Sequence, residues 1–338
     1  MTAKVAINGY GTVGKRLADA VAVQEDMEVV GVTKTRPTFE ARMAVSRGYP
    51  LYTASRKHLA AFRKAGLKTE GTLEDLLGDA DLVLDGTPKG SGYKPVYEKA
   101  GVKAVWQGGE KHALSGLSFN AYANYEAALG ADRLRVPSCN TTGLIRTLYP
   151  LQTRFGVEDV TAVMVRRAAD PWDTKRGPIN AIVPELHVPS HHGPDVQTVL
   201  ATLPIQTLAV KVPTTMMHLH AVTVDMTEEV TTEEVLEVWR DTPRIRFVRA
   251  AEGITSTAQI IELARDLQRS RSDLYEIAVW EDGVHVQGHT LYYFQAVHQE
   301  ADVVPENVDA IRAMLELESE KKRSIRKTDL ALGIPTAF

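Results

Sequence analysis

Short runs of β-branched and aliphatic residues alternate with apolar residues at helical spacing through the first half of the chain. That pattern predicts strands joined by crossover helices. The runs Lys4–Asn8, Glu28–Thr33, Leu82–Asp85, Ala104–Gln107 and Leu134–Pro137 read as strands. Between them Gly14–Gln24, Ala54–Ala65 and Tyr93–Ala100 repeat apolar positions at helix-like intervals. Right-handed crossovers between parallel strands place a ligand crevice at the strands' carboxyl ends.

From about residue 156 the texture changes. Val160–Arg167, Thr207–Val212, Leu219–Met226, Arg244–Arg249 and a hairpin-like pair at Val284–Thr290 and Tyr292–Val297 predict a second, mostly antiparallel sheet. Thr232–Arg240 and Thr257–Leu267 read as helices covering one face. A last amphipathic helix is expected from Pro305 to about Arg326, with Lys321-Lys322-Arg323 as a solvated basic end that complements the C-terminal dipole. No repeat, low-complexity tract or long linker interrupts the chain.

Composition narrows the function class. With 338 residues, 44% hydrophobic and 24% charged, the chain can fill two cores. A formal net charge of -4 supplies no electrostatic reason for nucleic acid or an anionic membrane as partner, so a small solute or another protein is expected. Met1–Val13 lacks the features of a secretory signal, and no 18 uncharged apolar residues run together, so the expected location is the cytoplasm. The single cysteine, Cys139, cannot form an intrachain disulfide and stays available for chemistry.

Gly9-Tyr10-Gly11-Thr12-Val13-Gly14 stands between the first strand and the first helix, where a dinucleotide-binding turn belongs. There Gly9 permits the tight turn, Gly11 lets a pyrophosphate approach the backbone, and Gly14 lets helix and sheet pack closely. Thr33-Lys34-Thr35-Arg36 ends the second strand in place of the acidic residue that holds the NAD ribose. An ammonium beside hydroxyls attracts a 2′-phosphate, so NADP is expected to bind at least as well as NAD. Thr87-Pro88-Lys89-Gly90 follows another strand and either lines the crevice or is only a turn. The expected fold class is thus α/β: a Rossmann-type doubly wound parallel sheet over residues 1–138, with an α+β catalytic domain over 139–302 and residues 303–338 packing back on the first domain.

Arg135-Val136-Pro137-Ser138-Cys139-Asn140-Thr141-Thr142-Gly143 runs from a strand into a helical pattern and sets Cys139 at a helix N-terminus. Unpaired N–H groups and the dipole there are expected to depress the thiol pKa and to hold an oxyanion when sulfur adds to a carbonyl. A partner base is sought in Val212-Pro213-Thr214-Thr215-Met216-Met217-His218-Leu219-His220. On a strand His218 and His220 share a face, so spacing does not choose between them. Arg166-Arg167, His191-His192, Thr141 and Thr142 are the groups available for anions. The adjacent histidines lack a carboxylate or thiolate pattern for a metal shell, and no metal is expected.

Together these motifs resemble the archaeal-type phosphorylating glyceraldehyde-3-phosphate dehydrogenases over essentially the whole length. The resemblance is carried by Asn8–Arg16, Lys34–Pro37, Gln107–His112, Ser138–Gly143, Ser190–Asp195, Val212–Thr215 and Ala296–Glu300. It implies a nucleophile at Cys139 and a general base at His218, with His220 the lesser reading. It also implies cofactor contacts from Thr12, Val13, Lys34, Gly109, Arg167 and Gln299, beside Gly9, Gly11, Gly14 and Thr87 from the turn reading. Substrate and phosphate contacts are expected from Ser138, Asn140, Thr141, His192 and Gly193. The partners implied are glyceraldehyde 3-phosphate and inorganic phosphate, and the assembly a homotetramer. Two other readings compete: a related cysteine-dependent semialdehyde dehydrogenase or acyl-phosphate reductase, which needs a carboxylate-binding arginine, and a nucleotide-binding protein without catalysis.

Overall fold

The computed structural model describes residues 2–88, 90–169 and 177–335. Lys89, within the expected Thr87–Gly90 segment, lies outside the described residues. The chain divides into one unit that runs to Pro137 and takes in Val303–Gly333, and another that spans Ser138–Asp302.

In the first unit β1 (Ala3–Asn8), β2 (Met27–Lys34), β3 (Leu51–Thr53), β4 (Gly71–Thr72), β5 (Leu82–Asp85), β6 (Lys103–Gln107) and β7 (Arg133–Val136) form one sheet in the order β4-β3-β2-β1-β5-β6-β7. Every pairing in it is parallel. The order reverses direction at β1, so the turn after β1 opens at the switch point where α/β sheets bind ligands. The crossovers are α1 (Thr12–Ala22), α2 (Phe39–Ser46), α3 (Leu59–Lys64), α4 (Leu73–Leu77), α5 (Lys94–Ala100) and α6 (Ala121–Asn124). Strands buried on both faces read as continuous apolar runs. Accordingly Leu82, Val83 and Leu84 are all fully buried, and Trp106, Tyr97 and Leu76 fill the layer on one side.

The expected single C-terminal helix is two helices, Val304–Met314 and Lys321–Leu332. Between them Glu316 takes a left-handed φ of 53°, and Leu317 N–H donates to Arg312 O, which closes the first helix. Buried Asp309 then accepts from Ser324 Oγ and Thr328 Oγ1, both at 2.7 Å, and docks the returning helix. Lys321-Lys322-Arg323 therefore begins a helix instead of ending one. The dipole disfavours cations there, and Glu320 offsets this by pairing with Arg323 at 3.1 Å.

In the second unit α7 (Cys139–Phe155) precedes a mixed sheet. Its strands are β8 (Val157–Arg167), β9 (Val183–Pro184), β10 (Ile205–Val212), β11 (His218–Met226), β12 (Ile245–Val248), β13 (Ile277–Trp280), β14 (His285–Gln287) and β15 (Thr290–Val297). The order is β12-β13-β15-β11-β8-β10-β9, with β14 added against β15. Only β8 with β10 and β12 with β13 run parallel among the described pairs. Short α8 (His192–Val196), then α9 (Thr232–Arg240) and α10 (Thr257–Asp266), complete the unit. Gly143 lets α7 lie close on this sheet, since a Cβ there would stand 2.8 Å from Val297 Cγ2. Val297 is the register partner of His218, so the first turns of α7 lie over the strand that begins with that histidine.

Candidate active site

The glycine turn is built as its chemistry requires. Gly9 has φ +94°, and a Cβ on Gly14 would meet Gly9 O at 1.9 Å. Gly11, in contrast, would meet nothing within 4 Å, and α1 starts behind it with no acidic residue in its first turn, at Thr12 and Val13. An open backbone at an uncompensated helix N-terminus fits the pyrophosphate of a dinucleotide. Thr87 and Gly109 line a cavity of about 600 Å³ with Gly86, Gln107 and Lys111.

A buried hydrogen-bond chain that the motif did not announce holds this turn. Gly9 N–H donates to Thr33 Oγ1 at 2.9 Å, Thr33 donates to Asn8 Oδ1 at 2.6 Å, and Asn8 Nδ2 donates to Tyr97 OH at 2.6 Å. Tyr97 donates to Asp85 Oδ2 at 2.7 Å, and Thr87 Oγ1 donates to Asp85 Oδ1 at 2.6 Å. Burial pushes the Asp85 carboxyl up, against the stabilising bonds from Thr87 and Tyr97. Lys34, at the end of β2, is salt-bridged to Glu40 at 2.6 Å.

Cys139 is the first residue of α7, and the Ser138 side chain caps that helix by accepting from Thr141 N. Thr141 Oγ1 donates to Asp195 Oδ2 at 2.8 Å and ties α7 to α8. The thiol pKa runs against expectation. Burial pushes it up, and Asp302 adds to the rise, while Arg167, the Asn140 backbone N–H and Arg166 oppose it. Desolvation of a charged sulfur outweighs the helix end in this setting.

His218 is buried, and the backbone N–H of Arg167 donates to its Nδ1 at 3.0 Å. Burial, then His220, Arg167 and Arg166, hold its pKa well below 6.5. A nitrogen that accepts an N–H carries no proton, so the neutral ring bears its hydrogen on Nε2. His220 differs in having both nitrogens engaged: Gln295 Nε2 donates to Nδ1 at 3.0 Å, and Nε2 donates to Asn140 Oδ1 at 2.8 Å. Burial lowers its pKa to about 3.

Asn140 Nδ2 in turn donates to His192 Nε2 at 3.4 Å, whose Nδ1–H donates to Ser190 Oγ at 3.0 Å. Burial lowers the His192 pKa to about 2, which favours the neutral ring. Gly193 N–H donates to Thr207 Oγ1 at 3.0 Å. The two arginines part as a strand requires. Arg167 pairs with Glu300 at 3.1 Å, whereas buried Arg166 Nε has no hydrogen-bond partner among the described residues. Gln299 Nε2 donates to Glu300 Oε2 at 3.0 Å.

Thus Asn140, His192 and His220 form one hydrogen-bonded network of the second unit, with Ser138, Cys139 and Thr141 on the same helix as Asn140, and with Gly193, His218, Arg166, Arg167, Gln299 and Glu300 on the same unit. Gly9, Gly11, Thr12, Val13, Gly14, Lys34, Thr87 and Gly109 belong to the first. Sequence reasoning missed Gln295 and Asp195 as partners. The alternation of β15 marked Gln295, a polar residue between buried Tyr293 and Val297. No local signal pointed from Thr141 to Asp195.

A family model described as glyceraldehyde 3-phosphate dehydrogenase, C-terminal domain, matches residues 138–283. The chain is 56% identical to the glyceraldehyde-3-phosphate dehydrogenase of Methanothermus fervidus over 98% of each chain. It is 56% identical to that of Thermococcus kodakarensis over 99% of each. The corresponding protein of Methanobacterium bryantii is 55% identical over 98% of this chain and 99% of its own. With relatives this similar over nearly its whole length, the chain belongs to the glyceraldehyde-3-phosphate dehydrogenase family of oxidoreductases.

Proposed function

We propose that the protein oxidises D-glyceraldehyde 3-phosphate with inorganic phosphate to 1,3-bisphosphoglycerate, using NADP or NAD, through a thioacyl intermediate on Cys139. The observation that carries the reading is a lone cysteine at the first position of a capped helix, with the next residue, Asn140, hydrogen-bonded to buried His220, and with neutral His218 two residues before His220 on the same strand. Cys139 Sγ adds to the aldehyde carbon while its proton passes to the carbonyl oxygen, and backbone N–H groups at the start of α7 steady the developing charge. When bound, the nicotinamide accepts the hydride that leaves this carbon.

His218 takes the hydroxyl proton in the same step. To accept that proton on Nε2 the ring must first carry its hydrogen on Nδ1, which requires the Arg167 N–H bond to Nδ1 to open. Phosphate then attacks the thioacyl carbon, and sulfur leaves and recovers its proton from His218. Arg166, with its unspent Nε, and Thr142, whose buried Oγ1 has no partner among the described residues, are the donors proposed for phosphate.

The names of the relatives favour this reading over a semialdehyde dehydrogenase or a protein without catalysis. The test is the initial rate of dinucleotide reduction with each cofactor, with and without phosphate. Phosphate-dependent turnover on glyceraldehyde 3-phosphate is expected, and equal rates without phosphate overturn the phosphorylating assignment.

The chain is also proposed to act in the cytoplasm as a homotetramer. Among the described residues no helix is long and apolar enough to cross a membrane. Exposed Leu186, Ile179, Tyr292 and Phe294 on the second unit supply apolar surface for copies of the chain to cover. Sedimentation equilibrium is expected to report four copies of the 37.1 kDa chain, and a stable monomer contradicts this.

A further inference from the structure

We infer that Glu40 is a specificity-determining residue that holds down NADP affinity by occupying the lysines a 2′-phosphate would take. Glu40 is the second residue of α2, and its carboxylate bridges two elements of the nucleotide-binding unit. Oε2 accepts from Lys34 Nζ at 2.6 Å and from Thr38 Oγ1 at 3.4 Å, while Oε1 stands 3.3 Å from Lys15 Nζ. Lys34 closes β2, and Lys15 lies one turn into α1, directly behind the glycine turn.

The side chains of Lys34, Lys15 and Glu40 are 13%, 21% and 22% exposed, so the triad is neither a solvated surface pair nor sealed from an arriving anion. Two ammonium groups and one carboxylate leave a single net positive charge. The carboxylate engages both cations, as two oxygens of a phosphate would. Despite a desolvation cost, hydrogen bonding to Lys34 and the charges of Lys34 and Lys15 keep Glu40 ionised. A dianionic 2′-phosphate must displace this carboxylate or sit beside it, whereas NAD, with a hydroxyl there, meets no such conflict. Lys34 alone reads as an NADP determinant, and its partner lowers that preference.

The inference rests on the reading that Lys34 faces the adenosine ribose. The experiment measures NADP and NAD dissociation constants on the full chain by intrinsic tryptophan fluorescence, without substrate, at low and high salt. The variants are Glu40→Gln, Lys34→Ala and the two combined. Glu40→Gln is expected to tighten NADP about tenfold and to change NAD less than about twofold, with the gain reduced by salt and abolished by Lys34→Ala. Equal shifts for both dinucleotides, or weaker NADP binding as when Glu40 only orients Lys34, overturn the inference. If Lys34→Ala leaves the NADP to NAD ratio unchanged, the reading beneath it fails, and that result is distinct from a failure at Glu40. A circular-dichroism melt of each variant shows that the comparison is between folded proteins.

Discussion

At partly buried Cys139 two physical effects compete, and desolvation outweighs the helix end. A helix N-terminus lowers a thiol pKa by favouring charge, while desolvation raises it by removing the water that charge needs. The balance lies above the ordinary value, so the resting side chain is the neutral thiol at neutral pH. Alkylation of Cys139 by iodoacetamide in the protein alone is therefore expected to be slow near pH 7 and to keep rising beyond about pH 9. A plateau reached below about pH 7 contradicts that balance. The histidines follow the same rule with opposite sign, because burial removes their protons. The proposed nucleophile and base are thus both neutral at rest. The candidate nucleophile stood out from Ser138–Gly143 alone, but its protonation did not, since that depends on burial and on the charges of residues as remote in sequence as Asp302 and Arg167.

The glycine turn shows at the scale of the element how much a motif can carry. Gly9, Gly11 and Gly14 were assigned separate duties from spacing, and their surroundings differ in the same way: crowded at Gly14, open at Gly11. Gly14→Ala drives a Cβ into the Gly9 carbonyl, so it is expected to cost about 1–3 kcal/mol of stability and to impair dinucleotide binding. Gly11→Ala is expected to leave the thermal midpoint in place while weakening the dinucleotide. Parallel melts and fluorescence titrations check the pair, and a large stability loss at Gly11 contradicts the assignment.

Core strands such as Leu82–Asp85 were readable because burial on both faces leaves an unbroken apolar run. Strand β3 and the edge strand β4, at three and two residues, are too short for any period to register. The break after Met314 was hidden for another reason. It uses a left-handed glutamate where glycine is the usual signal, and the docking groups Asp309, Ser324 and Thr328 meet only once the chain has turned back.

Across the whole molecule the buried histidines couple the site to stability. His192 and His220 have folded pKa values of about 2 and about 3 against an ordinary 6.5. The unfolded chain thus binds protons that the folded chain refuses, and stability falls as pH drops below about 6.5 toward the folded values. Above that pH neither state is charged at these rings, and the effect vanishes. Each histidine contributes a slope of about 1.4 kcal/mol per pH unit within the window. Urea midpoints between about pH 7.5 and pH 5 are expected to fall accordingly, and a flat profile contradicts the neutral network of His220, Asn140 and His192.

The most direct test of the account is an acid-quenched mass measurement on the intact chain, mixed with glyceraldehyde 3-phosphate and oxidised dinucleotide in the absence of phosphate. One 3-phosphoglyceroyl group is expected on the peptide that holds Cys139, absent from Cys139→Ser and discharged when phosphate is added before the quench. Turnover by Cys139→Ser, or an acyl group found on any other residue, contradicts the assignment of this sulfur as the nucleophile.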